Sequence, residues 1–480
     1  VINIASAWYD TFAGTADCCA VAEYDKMTDF IQNDAVVEFR IWDDVIKSNE
    51  HFSFTQHTIE FEEDRAIYIN CDETYIGHGA GDNITTGTFN SLFGNNAGND
   101  ITDGTGNSIF GSYSGALITS GDYNVLMGGL SGSATGVDID KCVFIGYQAG
   151  QNNTQDNITA IGYKALMSNT GAGNVAVGYQ VLDAACTGTY NTGVGTSALG
   201  ANLGGEHNVG LGYNALAFNT TGNGNVAVGS VCLDALTTGS QNVVIGNGAG
   251  GATAVDITSC VLIGSGAGNT NTQSNIVAVG YNALNDNSGV GNTAVGNASM
   301  DAAACSGGSN AALGTSSLGA NTTGTYNTSI GANSLNTAST GDSNTAVGYR
   351  ALMDNVSANN NTAVGSLAGE NALVAGCVYL GYDAGSDNAT ANTLHINNSN
   401  SAFPLIWGDF ANDKLSIGNN NDEFFTHLLY ENTGGVLHLK EASAAITAIV
   451  NYGAIWTEGD NLLHFMSGAG VEYTVDITPV

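Results

Sequence analysis

Between residues 73 and 391, apolar and polar positions recur in a fixed order. The clearest copy is Asn344-Thr-Ala-Val-Gly348-Tyr-Arg-Ala-Leu352, and close variants start at Asn174, Asn208 and Asn361. Aligned on the central glycine, 19 copies run from Gly77 to Gly381, and every step is 16, 17 or 18 residues. Such spacing marks one structural unit stacked many times. The residue before the glycine is always sizeable and apolar, as in Ile76, Phe93, Phe110 and Met127. Two residues earlier stands, most often, Thr or Val, as in Val175 and Thr345. These two positions share one face of a strand, and the larger of them reads as the inward residue. Three residues after the glycine comes nearly always Ala or Ser, then Leu, Met or Gly, then turn-formers such as Asn219-Thr-Thr-Gly222. Each unit therefore predicts a short strand, a glycine bend, a second apolar step and a polar return loop. The expected fold is all-β: a repetitive β-roll or β-solenoid shaft of about 19 coils with roughly 17-residue repeats. Stacked strands at about 4.8 Å would make it on the order of 90 Å long.

A longer beat lies over the short one. Four residues before the glycine the residue is Asn in 13 of the 19 units. Cys142, Cys260 and Cys377 replace it at intervals of 118 and 117 residues, or seven coils. Four residues after the glycine, runs of Leu or Met (Leu166 to Leu233, Leu284 to Leu352) alternate with Gly250, Gly268, Gly369 and Gly385. This is a seven-coil block, duplicated. Stacked Asn side chains predict a hydrogen-bonded ladder. The three cysteines, too far apart to bridge within a chain, read as small buried filler.

The flanks leave the repeat. Residues 1–72 carry larger apolar residues such as Trp8, Phe39 and Trp42, with strands predicted in Phe52–Phe61 and Ala66–Ile69. This region reads as an N-terminal capping and attachment segment, since a bare solenoid end exposes unpaired backbone. Residues 392–480 read as a compact β-rich tip domain. Strands are predicted at Thr393–Ile396, Lys414–Ile417, Phe424–Tyr430, Gly435–Leu439, Ile446–Tyr452, Asn461–Met466 and Val471–Ile477.

Charge narrows the partners. The 480 residues carry 44 acidic and 9 basic side chains, a net of −35. That argues against nucleic acid, which needs Lys and Arg for its phosphates. The acid is uneven: residues 77–385 have a net charge of −14, against −12 in residues 1–76 alone. The long middle is polar but mostly uncharged. No stretch is long and apolar enough to cross a membrane as a helix. The sequence opens at Val1 rather than Met, so either a leader has been removed or the start lies elsewhere.

One coil offers few apolar side chains, a thin core for a free-standing rod, and this calls for burial against identical copies. The Asn-x-Ala-Val-Gly-x-x-Ala-Leu pattern resembles the head repeats of trimeric autotransporter adhesins of the YadA type, and the longer-period repeats of viral and phage fibre proteins. Pro404-Leu-Ile-Trp-Gly-Asp-Phe410 is similar to a segment that often follows such repeats. The resemblance covers about 310 residues and implies a homotrimeric β-roll. Neither coiled-coil heptads nor a membrane anchor is evident, which favours a virion fibre over a bacterial adhesin.

Catalytic and metal signatures are weak. The eight histidines show no ligand spacing, and residues 77–385 of the shaft hold two glutamates, Glu206 and Glu370, about ten coils apart. Asp138, Asp140 and Asp256 lie in equivalent loops where Ca²⁺ ligands would be conceivable, but the third block has no acid there. No cofactor, metal or enzymatic activity is expected. All four tryptophans lie outside the shaft, and aromatic faces bind sugars and proteins. Trp407, Tyr452 and Trp456 are therefore the receptor-contact candidates. The expected function is a structural fibre on a virion surface or otherwise extracellular. It would be joined to its neighbours through the N-terminal region and bind a host glycan or protein at its tip. Two further readings stay open: a self-assembling extracellular filament or adhesin, and a glycan hydrolase with its site in the C-terminal domain.

Overall fold

In the computed structural model, the described residues are 73–133, 138–251, 256–303, 305–401 and 404–417, together with the backbones of seven flanking strands. The two N-terminal ones are β1 (His57–Phe61) and β2 (Arg65–Ile69). Nineteen three-residue strands follow, one per coil, from β3 (Thr74–Ile76) to β21 (Val378–Leu380). Each pairs in parallel with the next and in register, as Thr345, Ala346 and Val347 do with Thr362, Ala363 and Val364. The fold is an all-β solenoid with a repeat of roughly 17 residues, and no helix occurs among the described residues.

The sheet turns antiparallel at both ends. β2 pairs antiparallel with β3, and β1 with β2. At the other end β22 (Thr393–Ile396) extends the parallel ladder from β21. β23 (Ile406–Asp409), β24 (Lys414–Ile417), β25 (Leu428–Leu429) and β26 (His438–Leu439) then continue it antiparallel. A separate three-stranded sheet comprises β27 (Ala454–Thr457), β28 (Leu462–Met466) and β29 (Glu472–Asp476). Of the strands expected in the tip, Ile446–Tyr452 lies outside the described residues, and of those at Phe424–Tyr430 and Gly435–Leu439 only β25 and β26 are described.

The interior is filled by volume exchange between two positions. The middle residue of each short strand is buried in every coil. Where it is large, as in Leu92, Ile109, Leu126, Phe144 and Leu262, the residue four beyond the central glycine is Gly. Where it is Ala, Gly or Ser, that residue is Leu or Met, except at Ala363. There Gly369 is paired instead with the ring of Tyr379 from the next coil, 2.6 Å from where a Cβ would stand. Backbone strain does not explain the choice of glycine. Ten Leu or Met residues hold this position at φ between 45° and 54°. The central glycines are different. Their φ runs from 118° to 144°, and a Cβ on Gly94 would lie 2.5 Å from the carbonyl oxygen of Gly111 in the next coil. Only glycine fits such a position.

Beside this apolar file runs the asparagine ladder. Asn225 donates its backbone N–H to Oδ1 of Asn208 at 2.9 Å, and Asn208 Nδ2 donates to the Gly222 carbonyl at 2.8 Å. The pattern repeats from Asn174 through Asn242 to the Cys260 N–H, and from Asn292 through Asn361 to the Cys377 N–H. At those ends the coil shortens to 16 residues, and the thiol takes over the donor role. Cys142, Cys260 and Cys377 each place Sγ 3.4 Å from a carbonyl oxygen 13 residues on. Coil length and ladder residue are thus matched within each seven-coil block.

Candidate contact surfaces

The strand face opposite the interior carries two files of side chains. One is the residue before the central glycine, which the sequence pattern placed inward. The structure puts it outside. Every strand from β3 to β21 is buried only at its middle residue, and period-two alternation sends both neighbours outward. The interior has room for one large side chain per coil, and the middle residue and its exchange partner already fill it. Phe110, Met127, Ile245, Leu313, Ile330 and Leu380 are consequently exposed, Leu313 by 49%. The second file is Val, Thr, Ser or Ala throughout, and neither file contains a charge. Nineteen coils thus present a continuous uncharged face with an apolar column, although the chain as a whole is strongly acidic. A signal was available in the sequence: Phe93, Phe110 and Met127 directly follow Leu92, Ile109 and Leu126, and strand alternation lets only one of each pair point inward.

A second column lies in the turn just after the glycine. Tyr147, Tyr163 and Tyr179 occupy it in three successive coils. Their rings stack at 5.9 and 5.1 Å between centroids, within 15° of parallel. Tyr213, Tyr281, Tyr349 and Tyr382 stand in the same column without a tyrosine in the adjoining coils. In the return loops Tyr190 stacks on His207 at 5.2 Å.

At the C-terminal end, Trp407 is half-buried in β23, opposite His395 of β22. Leu405 and Phe410 beside it are exposed by 60% and 50%. Trp456 lies in β27, opposite His464 in the separate sheet, so the structure assigns the two tryptophans to different sheets. Tyr452 lies outside the described residues. Sequence reasoning gave no weight to a polar cluster beneath β22. Thr393 Oγ1 there lies 3.2 Å from His395 Nε2, 3.5 Å from Cys377 Sγ and 2.9 Å from Asn388 Nδ2, which also donates to the Tyr379 hydroxyl at 2.8 Å. His395 is buried, its Nδ1 has no hydrogen-bond partner among the described residues, and burial holds its pKa below the usual value.

The loop aspartates are occupied within the chain. Asp138 Oδ1 accepts from the backbone N–H groups of Thr119 and Ser120, and Asp256 Oδ1 from those of Thr237 and Thr238. Both also accept from the neighbouring hydroxyls. Partial burial pushes the Asp138 pKa up, but the hydrogen bonds from Ser120 and Thr119 outweigh it and hold it down at about 2. Asp256 is depressed in the same way. Glu370 is paired with Arg350 at 2.7 Å. The six described cysteines are buried free thiols.

Compared with protein-family models, with curated proteins and with solved structures, the chain matches none.

Proposed function

We propose that the protein is the shaft and tip of a fibre that works as a homotrimer, each copy burying its outward sheet face against the others. The observation that carries this reading is the uncharged face with its apolar column, continuous over nineteen coils. Exposed apolar patches of that extent mark interaction surfaces. The occupant that matches a face of this period over its whole length is another copy of the same chain. The acidic side chains, kept off this face, repel unrelated neighbours and favour solubility. Attachment to a host surface through many weak contacts suits such a rod, and its setting is extracellular or on a virion. Trp407, with the exposed Leu405 and Phe410, is the contact point for a glycan or protein receptor.

The test places a lysine on the face at three coils, Val228→Lys, Val295→Lys and Val347→Lys together. The substituted protein should keep its β-sheet circular dichroism and sediment as a monomer. Unchanged assembly in the triple variant removes the face from the interface. Polymerisation of the unmodified protein without limit would favour the filament reading instead.

A further inference from the structure

We propose that Tyr147, Tyr163 and Tyr179 form an oxidative cross-linking site, at which a one-electron oxidant of the peroxidase or photo-activated metal-complex class joins two adjacent coils through a dityrosine bond. Three observations place the site here. The rings are within 5.9 and 5.1 Å of each other and nearly parallel. Each ring is accessible, by 48%, 38% and 49% in chain order. The backbone holds them in file, since the strands that precede them pair in register.

The chemistry balances without any further group. Each of two phenols gives one electron and one proton to the oxidant and the surrounding water. The two resulting neutral radicals share spin with their ortho carbons. One carbon–carbon bond forms between ortho positions, and each ring regains aromaticity as its displaced ring hydrogen moves to the phenoxyl oxygen. Two ring C–H bonds are lost and one C–C bond is made. Tyr163, the middle ring, has a partner on either side.

The column supplies its own controls. Tyr213, Tyr281, Tyr349 and Tyr382 sit in the same turn position and are exposed to a similar degree, yet in each case the adjoining coils carry Ser, Thr, Ala or Asn in that position. Their nearest tyrosine in the column is two or more coils away, about 10 Å or further, too far for direct coupling.

The experiment irradiates the full-length protein with tris(bipyridyl)ruthenium and persulfate, then maps cross-linked peptides by mass spectrometry. Dityrosine is expected between Tyr147 and Tyr163 and between Tyr163 and Tyr179, within single chains. Tyr163→Phe should abolish both links, whereas Tyr213→Phe leaves the yield unchanged. Three outcomes would overturn the assignment: no dityrosine, coupling spread evenly over the isolated tyrosines, or links that join separate chains on a denaturing gel. The peptide map of the unsubstituted protein decides the matter even if a variant folds poorly.

Discussion

Phe144 occupies the space that a side chain at position 150 would need: a Cβ built on Gly150 would lie 2.6 Å from the ring. The two residues belong to one coil, on either side of its glycine bend, and they set its type. Gly150→Leu alone overpacks the interior and should cost about 1–3 kcal/mol. Phe144→Ala alone leaves a cavity and should cost about 3–5 kcal/mol. Together they recreate the Ala160 and Leu166 arrangement of the next coil, so the double variant should recover most of the loss. Chemical denaturation of the four proteins checks this as a double-mutant cycle.

The asparagine ladder should be as sensitive as the apolar file. Asn208→Ala removes the acceptor for the buried Asn225 N–H and one of two donors to the Gly222 carbonyl, which keeps Asn219 Nδ2 at 3.1 Å. The orphaned N–H costs about 1–3 kcal/mol. Hydrogen exchange at the Asn225 amide should accelerate in the variant, while amides several coils away keep their protection.

Much of this was legible from residue order alone. The glycine column fixed the coil number, because a 17-residue step survives small insertions, and the Asn column announced its ladder. The Leu/Gly beat was visible too, but its cause was not. It depends on a partner six residues back, in the middle of the strand, and only packing shows that the two share one volume. The outward column was misplaced for a related reason. A run such as Thr-Ala-Val fixes which residues share a face, not which face is inside, and the apolar Val looks more like core than the Ala beside it. Of the tip candidates, Trp407 keeps an exposed apolar setting, while Trp456 falls in a different sheet, which no local pattern could foretell.

His395 makes the junction of β21 and β22 sensitive to mild acid. Burial lowers its pKa from 6.5, so the unfolded chain binds more protons in the window just below that value. The stability it contributes is complete above pH 6.5 and is lost as pH falls through the lower folded value. The protection of amides in residues 378–396, corrected for the intrinsic exchange rate at each pH, should therefore fall from about pH 7 to about pH 5, and His395→Phe should flatten that dependence.

Asp138 and Asp256 act in a lower window, with their pKa values depressed from 3.8. Here the unfolded state takes up protons first as pH falls below 3.8, so the clamps stabilise the coil fully above that value. For Asp138 the contribution disappears by about 2. The acid limb of the thermal stability profile should be shallower in an Asp138→Asn, Asp256→Asn variant.

The described thiols should be silent in the folded protein. Burial pushes Cys142 and Cys232 up to about 12, and reactivity requires the thiolate. A thiol-reactive probe at neutral pH should leave Cys142, Cys186, Cys232, Cys260, Cys305 and Cys377 unlabelled until denaturant is added, as read by peptide mapping.

The assembly of identical copies through the outward face is tested most directly by the mass of the intact protein in native buffer. A value three times the 48.8 kDa of one chain, reduced to a single chain by lysines at Val228, Val295 and Val347, is the expected result. A stable monomer from the unsubstituted protein, with its apolar column open to water, would contradict it.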